Sequence, residues 1–374
     1  MHSRVPKLVR SAVHRRDLII ASLGTIVLLF SKAGRAASLS EISPLDTAAI
    51  PVKSPTTDIL IAIAKAGARL VAVGEHGLII YSDDNAVNWT QAKVPVDVTL
   101  TSIDFVTPKL GWAAGHFGVV LNTIDGGQTW AVQLNGVEAN QLTMVAAQEV
   151  SSQNDSSPGA PLALKRANIF MQAGPDKPFL AILTLSSEEV LVFGAYRMVM
   201  RTIDGGRTWS DWSLHVDEKY SNNLYSTAEI GSDLYVVGES GLIFCSVDHG
   251  ANFRPLISPT NVTLFGVVGA NDGSVIVFGV AGNCFRSNDG GRSWVNINLG
   301  TQDNLTAGYV LASGLVLIAS LSGSVYISHD DGLTFLLAPN TPPMSISGLT
   351  QAADNSLIFV GYSGVTKLPR ADFS

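Results

Sequence analysis

The sequence predicts an all-β chain folded as a seven-bladed β-propeller, and three observations predict it. Short apolar runs end seven times in a Gly-x-x-Gly turn or a one-residue variant of it, with the second glycine or its equivalent at Gly77, Gly118, Arg197, Gly241, Gly282, Gly323 and Gly364. Most of these positions are about forty residues apart, the period of a radially repeated sheet unit. Six of the seven runs then lead into a degenerate S/T-x-D-x-G-x-T/S-W/F box, Asp-box or BNR-like in kind.

One unit shows how the pattern maps onto strands. Thr101–Val106 alternates in polarity and reads as an innermost strand, and Gly111–Ala114 reads as the second. Gly115–Gly118 turns the chain into a third strand, Val119–Asn122, and the box Thr123–Trp130 precedes an outer strand at Val132–Leu134. Four short strands per repeat make a propeller blade.

The boxes are SDDNAVNW from Ser82, TIDGGQTW from Thr123, TIDGGRTW from Thr202, SVDHGANF from Ser246, SNDGGRSW from Ser287 and SHDDGLTF from Ser328. They place Asp84, Asp125, Asp204, Asp248, Asp289 and Asp330 at hairpin tips, where a carboxylate accepts hydrogen bonds from its own turn's amides. A structural role is therefore expected. No box supplies the several oxygen ligands of a calcium loop.

The seventh unit, Ser345 to Arg370, has three strands and no box. The apolar stretch Ala48–Val52, ahead of the first blade, is expected to supply its fourth strand and close the ring. Residues 135–178 contain no turn-and-box pair and read as an insertion rather than an eighth blade. Within them, Asn140–Gln148 reads as a short helix and Ser151–Pro161 as a loop.

Residues 1–36 form a separate object, leaving residues 37–374 for the propeller. Arg4, Lys7, Arg10, Arg15 and Arg16 precede an apolar run from Leu18 to Phe30, and small residues follow at Gly34 and Ala36. This is the pattern of a cleaved export signal, of twin-arginine kind at Arg15–Arg16, and it implies a periplasmic or equivalent location. The whole chain has a net charge of −7, and losing this segment, with seven Lys/Arg and one Asp, makes it more acidic still. That balance disfavours nucleic acid and anionic membrane surfaces as partners. Cys245 and Cys284 fall in equivalent strands of neighbouring repeats, too far apart for a disulfide.

In an up-and-down blade, the turn between strands two and three shares a face with the connection to the next blade. The insertion therefore joins the Gly-x-x-Gly turns on one surface, where loops carry binding residues. Lys165, Arg166 and Lys177 of the insertion, with Tyr196 and Arg197 of the third turn and His116 of the second, are the candidate partner-binding residues. Arg197 stands where its sister turns have glycine. A monomer that binds without a cofactor or metal is expected.

The rival reading is a periplasmic, sialidase-like glycoside hydrolase. On the insertion face only Arg166 and Arg197 are obvious arginines, whereas a sialidase converges three on a carboxylate. The best carboxylate pair, Glu75 and Glu239, lies three blades apart, on the order of 25 Å from strand spacings. Paired glycosidase carboxylates stand about 5–9.5 Å apart. No catalytic set follows, and the chain is not expected to be an enzyme.

The boxes of the TIDGGRTW kind, the turn glycines and the export segment together resemble the photosystem II stability/assembly factor family of seven-bladed propellers, over about residues 45–370. Gly174–Phe179 followed by Val192–Tyr196 resembles a branch of exported proteins from non-photosynthetic bacteria, often linked to membrane transporters. The resemblance implies a non-enzymatic scaffold or assembly factor that docks on a membrane protein complex or transporter subunit. The arginine patches associated with photosynthetic members have no counterpart in this acidic, arginine-poor chain.

Overall fold

Seven antiparallel sheets follow one another along the chain in the computed structural model, which describes residues 43–152, 160–217 and 221–369. Residues 1–36, read as an export segment, lie outside the described residues, as does 153–159 of the expected loop. Among the described residues no helix is long and apolar enough to cross a membrane.

Each sheet runs outward in chain order. The first pairs Leu60–Ala66, Arg69–Gly74, Ile79–Ser82 and Thr90–Gln91, and five more repeat this four-stranded order. Burial follows the radius. The second strands are buried almost throughout, as in Val190–Gly194 and Val275–Gly279, because both of their faces meet a neighbouring sheet. The fourth strands are two to four residues long and largely exposed at the rim.

The core is a ring of apolar clusters wedged between neighbouring sheets. Val71, Val73 and Ile79 of blade one meet Ile103, Ala113 and Leu121 of blade two, and the same pairing recurs around the ring. Hydroxyls on the innermost strands tie neighbours together. Thr101 Oγ1 donates to the Phe179 carbonyl at 2.6 Å, Thr306 Oγ1 to Ile346 at 2.6 Å and Ser347 Oγ to Leu60 at 2.8 Å.

Every box closes on itself in one way. The leading Ser or Thr donates its hydroxyl to the aspartate and accepts the backbone N–H four residues beyond itself, as Thr202 does with Asp204 (2.9 Å) and Gly206 (2.9 Å). The aspartate then accepts both the backbone N–H and the side chain of the residue four beyond it: Thr208 at 2.9 and 2.6 Å for Asp204, Ser293 at 2.9 and 2.6 Å for Asp289. Hydrogen bonds from these partners hold Asp84, Asp204, Asp248 and Asp289 down to about 2. At Asp330 burial pushes upward, but bonds from Thr334 and Ser328 outweigh it and leave the carboxyl at about 2.

The neighbouring blade also bonds to box carbonyls. Arg69 donates to Gly126 O (3.0 Å), Gln133 to Gly205 O (2.9 Å), Trp212 to Gly250 O (2.9 Å), Arg286 to Asp331 O (2.8 Å) and Lys367 to Asn85 O (2.7 Å). The boxes are thus both corner braces and inter-blade clasps.

The structure corrects the expected closure. The last sheet has three strands, Ile346–Gln351, Leu357–Gly361 and Gly364–Leu368, and residues 48–52 do not join it. They run instead along blade one, where Ala49 N–H bonds Val94 O (3.1 Å). The Gln91 side chain clamps the same stretch, accepting from Val52 N–H (2.8 Å) and donating to Ile50 O (3.0 Å). The physical reason is local: a bidentate amide captures the backbone groups that a strand would have offered to blade seven. The seam is held by Val365 N–H to Thr56 O (2.9 Å) and a small apolar cluster of Leu60, Ala72, Leu78, Ile80 and Val360.

The insertion is more helical than expected. It is a helical hairpin, α1 (Gly136–Ser152) and α2 (Ala160–Ala173), and not a single short helix. Residues 160–173 are rich in the helix formers Ala, Leu, Lys, Arg, Met and Gln, with Pro161 in the first turn where it is tolerated. Ala147, Ala163 and Ala167 form the small-residue contact that lets the two helices approach. Cys245 and Cys284 are both buried free thiols.

Candidate functional site

The Gly-x-x-Gly turns and the helical hairpin occupy one face of the ring. Five of the seven turns are a single tight 3-10 element whose first N–H bonds the carbonyl just before an inner strand, as Glu75 does with Ile59 (3.3 Å) and His116 with Thr99 (2.8 Å). The second turn glycine has positive φ, and the incoming connection passes directly over it. A Cβ on Gly241 or Gly282 would stand 2.1 Å from the carbonyl oxygen of Thr260 or Thr301. Glycine there is a steric requirement.

Blade three departs from this rule. Arg197 (φ 58) carries a full side chain where the other turns have glycine, while Tyr196 (φ 55) is left-handed like its equivalents His76, Phe117, Ser240 and Ala281. A left-handed non-glycine residue costs roughly 1–2 kcal/mol, so the turn stores strain at the point where it meets the insertion. Arg197 N–H bonds Asn222 O at 2.9 Å, while its carbonyl accepts Arg166 Nη1 at 3.3 Å. Tyr196 is 52% exposed, and its ring meets Phe170 of α2 edge-on with centroids 6.3 Å apart.

From Tyr196 a polar and aromatic path leads to the mouth of the central channel. Tyr196 N–H donates to Asn223 Oδ1 (3.0 Å), and Asn223 Nδ2 reaches the Tyr225 hydroxyl (3.3 Å). Tyr225 packs edge-on against Phe265 of the next blade at 5.5 Å. Both rings line the channel, a cavity of about 550 Å³ walled by the seven inner strands. The equivalent positions in the other blades are Ile61, Thr101, Leu180, Thr306 and Ser347, so the aromatic pair makes the mouth lopsided.

Sequence reasoning missed Asn223, Tyr225 and Phe265. The available signal was two aromatic residues at one register position of adjacent repeats, immediately after the first buried residue of the inner strand.

Of the residues singled out from sequence, Lys165 and His116 are exposed as expected. Although His116 reaches the surface, the atoms packed around its ring partly desolvate it and lower its pKa below the ordinary value, against the opposing pull of Glu75. Its turn packs on the start of α1, where a Cβ on Gly118 would meet Gly136 at 2.6 Å. The hairpin is therefore flanked by the turns of blades two and three. Arg166 and Lys177 are only 8% and 4% exposed, which corrects the expectation that they form a surface basic spot.

The reason for their burial is packing. Arg166 lies over the Phe170 ring and 4.0 Å from buried Asp211, whose Oδ2 also accepts the Thr143 hydroxyl at 2.5 Å. Burial lowers the Arg166 pKa and Asp211 opposes that shift. Lys177 also lies over the Phe170 ring, 4.8 Å from its centroid, and pairs with Asp176. Both cations anchor the hairpin on blade three.

The sequence pattern of the family described as photosynthesis system II assembly factor YCF48 matches residues 53–159 and 175–262. The chain belongs to this family. The match breaks off across 160–174, the stretch that holds α2.

Among curated relatives, the family member named photosystem II assembly lipoprotein Ycf48, from Synechococcus sp. (strain CC9902), is 30% identical over 105 residues. That alignment covers 27% of this chain and 31% of the relative. The chloroplastic photosystem II stability/assembly factor HCF136 of Guillardia theta is 42% identical over 52 residues, 13% of each chain. The chain thus spans less than a third of either relative's length.

Two solved structures have the same fold. A structure titled YCF48 bound to D1 peptide superposes with a TM-score of 0.61 at 16% identity, covering 83% of this chain and 93% of that one. YCF48 from Cyanidioschyzon merolae gives 0.60 at 14% identity, covering 84% and 96%. The WD40 propeller domain of Doa1 gives 0.60 at only 8%, so the likeness lies in the propeller itself.

Proposed function

We propose that this chain is a non-enzymatic, exported assembly factor or scaffold. In this reading it captures an extramembrane segment of a membrane-protein subunit on its turn face, beside the helical hairpin. The observation that carries the reading is the Tyr196–Arg197 turn. A strained arginine, kept at Arg197 where the other turns use glycine and set beside the exposed Tyr196 ring, points to function rather than stability. It sits between α2 and the Asn223–Tyr225–Phe265 path to the channel mouth. Rigid aromatic rings at an exposed rim are what a peptide-binding surface uses as anchors.

Family membership supports the assembly role, and one solved relative is titled as bound to a D1 peptide. The basic and apolar pattern of residues 1–36 supports export, in line with relatives named as a lipoprotein and a chloroplastic protein. The box aspartates support a binding rather than a hydrolytic role, because their acceptors are committed to their own turns. The partner belongs to the class of complex or transporter subunits with an exposed tail, and Lys165 and His116 border its path.

The test is affinity capture from solubilised membranes, followed by fluorescence anisotropy with synthetic tail peptides of the captured subunits. Tyr196→Ala is expected to weaken peptide binding about tenfold or more, with the fold intact by circular dichroism. Unchanged affinity in both Tyr196→Ala and Arg197→Gly rejects this face as the site.

A further inference from the structure

A second cleft lies on the turn face of blade one, away from the rim just described. It is about 530 Å³ and lies between the arm that leads into blade one and that blade's own turn, lined by Ile50, Val52, Asp58, Ile59, Glu75, His76, Leu78 and Asp97. Its composition is divided. Leu78, at 3% exposure, belongs to the core below, while Ile50 stands 68% exposed at the lip. Val52 and Ile59 are half-buried, as are the carboxylates of Asp58, Glu75 and Asp97.

The arm is fixed in place on both sides of the cleft. Pro44 O accepts the Asp97 N–H at 2.8 Å, Gln91 clamps Ile50 and Val52, and Thr56 O accepts from Val365. The cleft is therefore preformed, and a ligand pays little ordering cost to use it. Its charge is lopsided as well. Three carboxylates face one imidazole, and His76 Nδ1 already engages Asp97 at 2.9 Å. Asp58 and Glu75 are left facing the cleft without an ion pair among those the structure gives.

We propose that this cleft is a docking site for a basic, apolar partner peptide, which seats an aliphatic side chain between Ile50, Val52 and Ile59 and sets a neighbouring lysine or arginine on Asp58 and Glu75. Charge complementarity selects this occupant. A second copy of a chain with net charge −7 brings the wrong sign to an acidic rim. The apolar walls give an aliphatic side chain somewhere to leave water, and the carboxylates set its flanking charge.

The test uses the full chain and a fluorescein-labelled Gly-Arg-Leu-Arg-Gly peptide in an anisotropy titration. Two control peptides replace both arginines by glutamate or the leucine by serine. The arginine–leucine peptide is expected to bind, with affinity falling as salt rises, and the glutamate peptide is not. The double variant Asp58→Asn/Glu75→Gln is expected to bind about tenfold more weakly, and Ile50→Ser and the serine peptide are each expected to lose severalfold.

Ile50 is exposed, so Ile50→Ser keeps the test decisive if the double variant melts early. Tyr196→Ala is expected to leave this titration unchanged, which separates the cleft from the blade-three rim. Equal binding by wild type and Asp58→Asn/Glu75→Gln overturns the proposal. So does equal binding of the leucine and serine peptides, or a dimer in sedimentation that the double variant abolishes.

Discussion

The two faces of this ring are built from the same repeats and follow opposite rules. On the box face, six aspartates of six boxes adopt one hydrogen-bonding pattern, and neighbouring blades donate to the box carbonyls. On the turn face the backbone repeats but the side chains do not. Glu75, His116, Ala195, Glu239, Val280, Leu321 and Tyr362 occupy one equivalent position. The difference teaches where to look for function in a repeat fold. A residue held in every repeat braces the corner, and the position that breaks the repeat is the one free to recognise something.

The sharpest way to break this comparison is to put a side chain where the turn rule forbids it. Gly241→Ala or Gly282→Ala forces a Cβ onto a connecting carbonyl and is expected to cost about 3 kcal/mol or more, measured by urea unfolding. A cost below about 1 kcal/mol would show that the connections yield, and the turn rule would lose its steric basis.

Next in size is the anchor of the hairpin. Arg166→Ala leaves Asp211 buried without its cation and is expected to cost roughly 3 kcal/mol, confined to the insertion. Hydrogen exchange should quicken in α1 and α2 while the second strands of the blades stay protected. Quickening across the whole ring would mean that the hairpin is part of the propeller's core rather than mounted on it.

Smaller, and of opposite sign, is the release of strain. Arg197→Gly is expected to stabilise the protein by about 1 kcal/mol in the same urea assay, while weakening tail-peptide capture. A destabilised glycine variant would mean that the arginine is kept for packing alone.

The box face makes its own prediction, invisible at neutral pH. Asp84, Asp204, Asp248, Asp289 and Asp330 have folded pKa values near 2, below the ordinary carboxylate value of 3.8, and Asp125 is lowered as well. The unfolded chain therefore binds protons first as acid is added, and the stabilisation is lost as pH falls from about 4 to about 2. Acid titration followed by tryptophan fluorescence should show that limb. Replacing Asp204 and Asp289 by Asn should make the remaining limb shallower.

Much of this architecture was legible because it rests on local chemistry repeated many times. The boxes announce their own turns, and the run-and-turn spacing fixes the blade count without any long-range information. The candidate site was legible at Arg197, where a repeat is visibly broken, and at its neighbours Tyr196, His116 and Lys165. Arg166 and Lys177 were misread because a cation's burial depends on what folds over it, here Phe170 and Asp211, which are distant in sequence or type from any basic motif. The closing segment was misread for a similar reason. Its apolar pattern suits a strand, but the Gln91 side chain that takes its backbone groups carries no signature in the sequence.

The seam between the last blade and the first has one more consequence. Thr56 O lies over Gly364 just as Thr260 O lies over Gly241 and Thr301 O over Gly282, so the arm imitates a covalent connection where the chain has none. The ring does not record which sheet was synthesised first. A circular permutant joined across this gap and opened at another connection would keep every sheet in its present place.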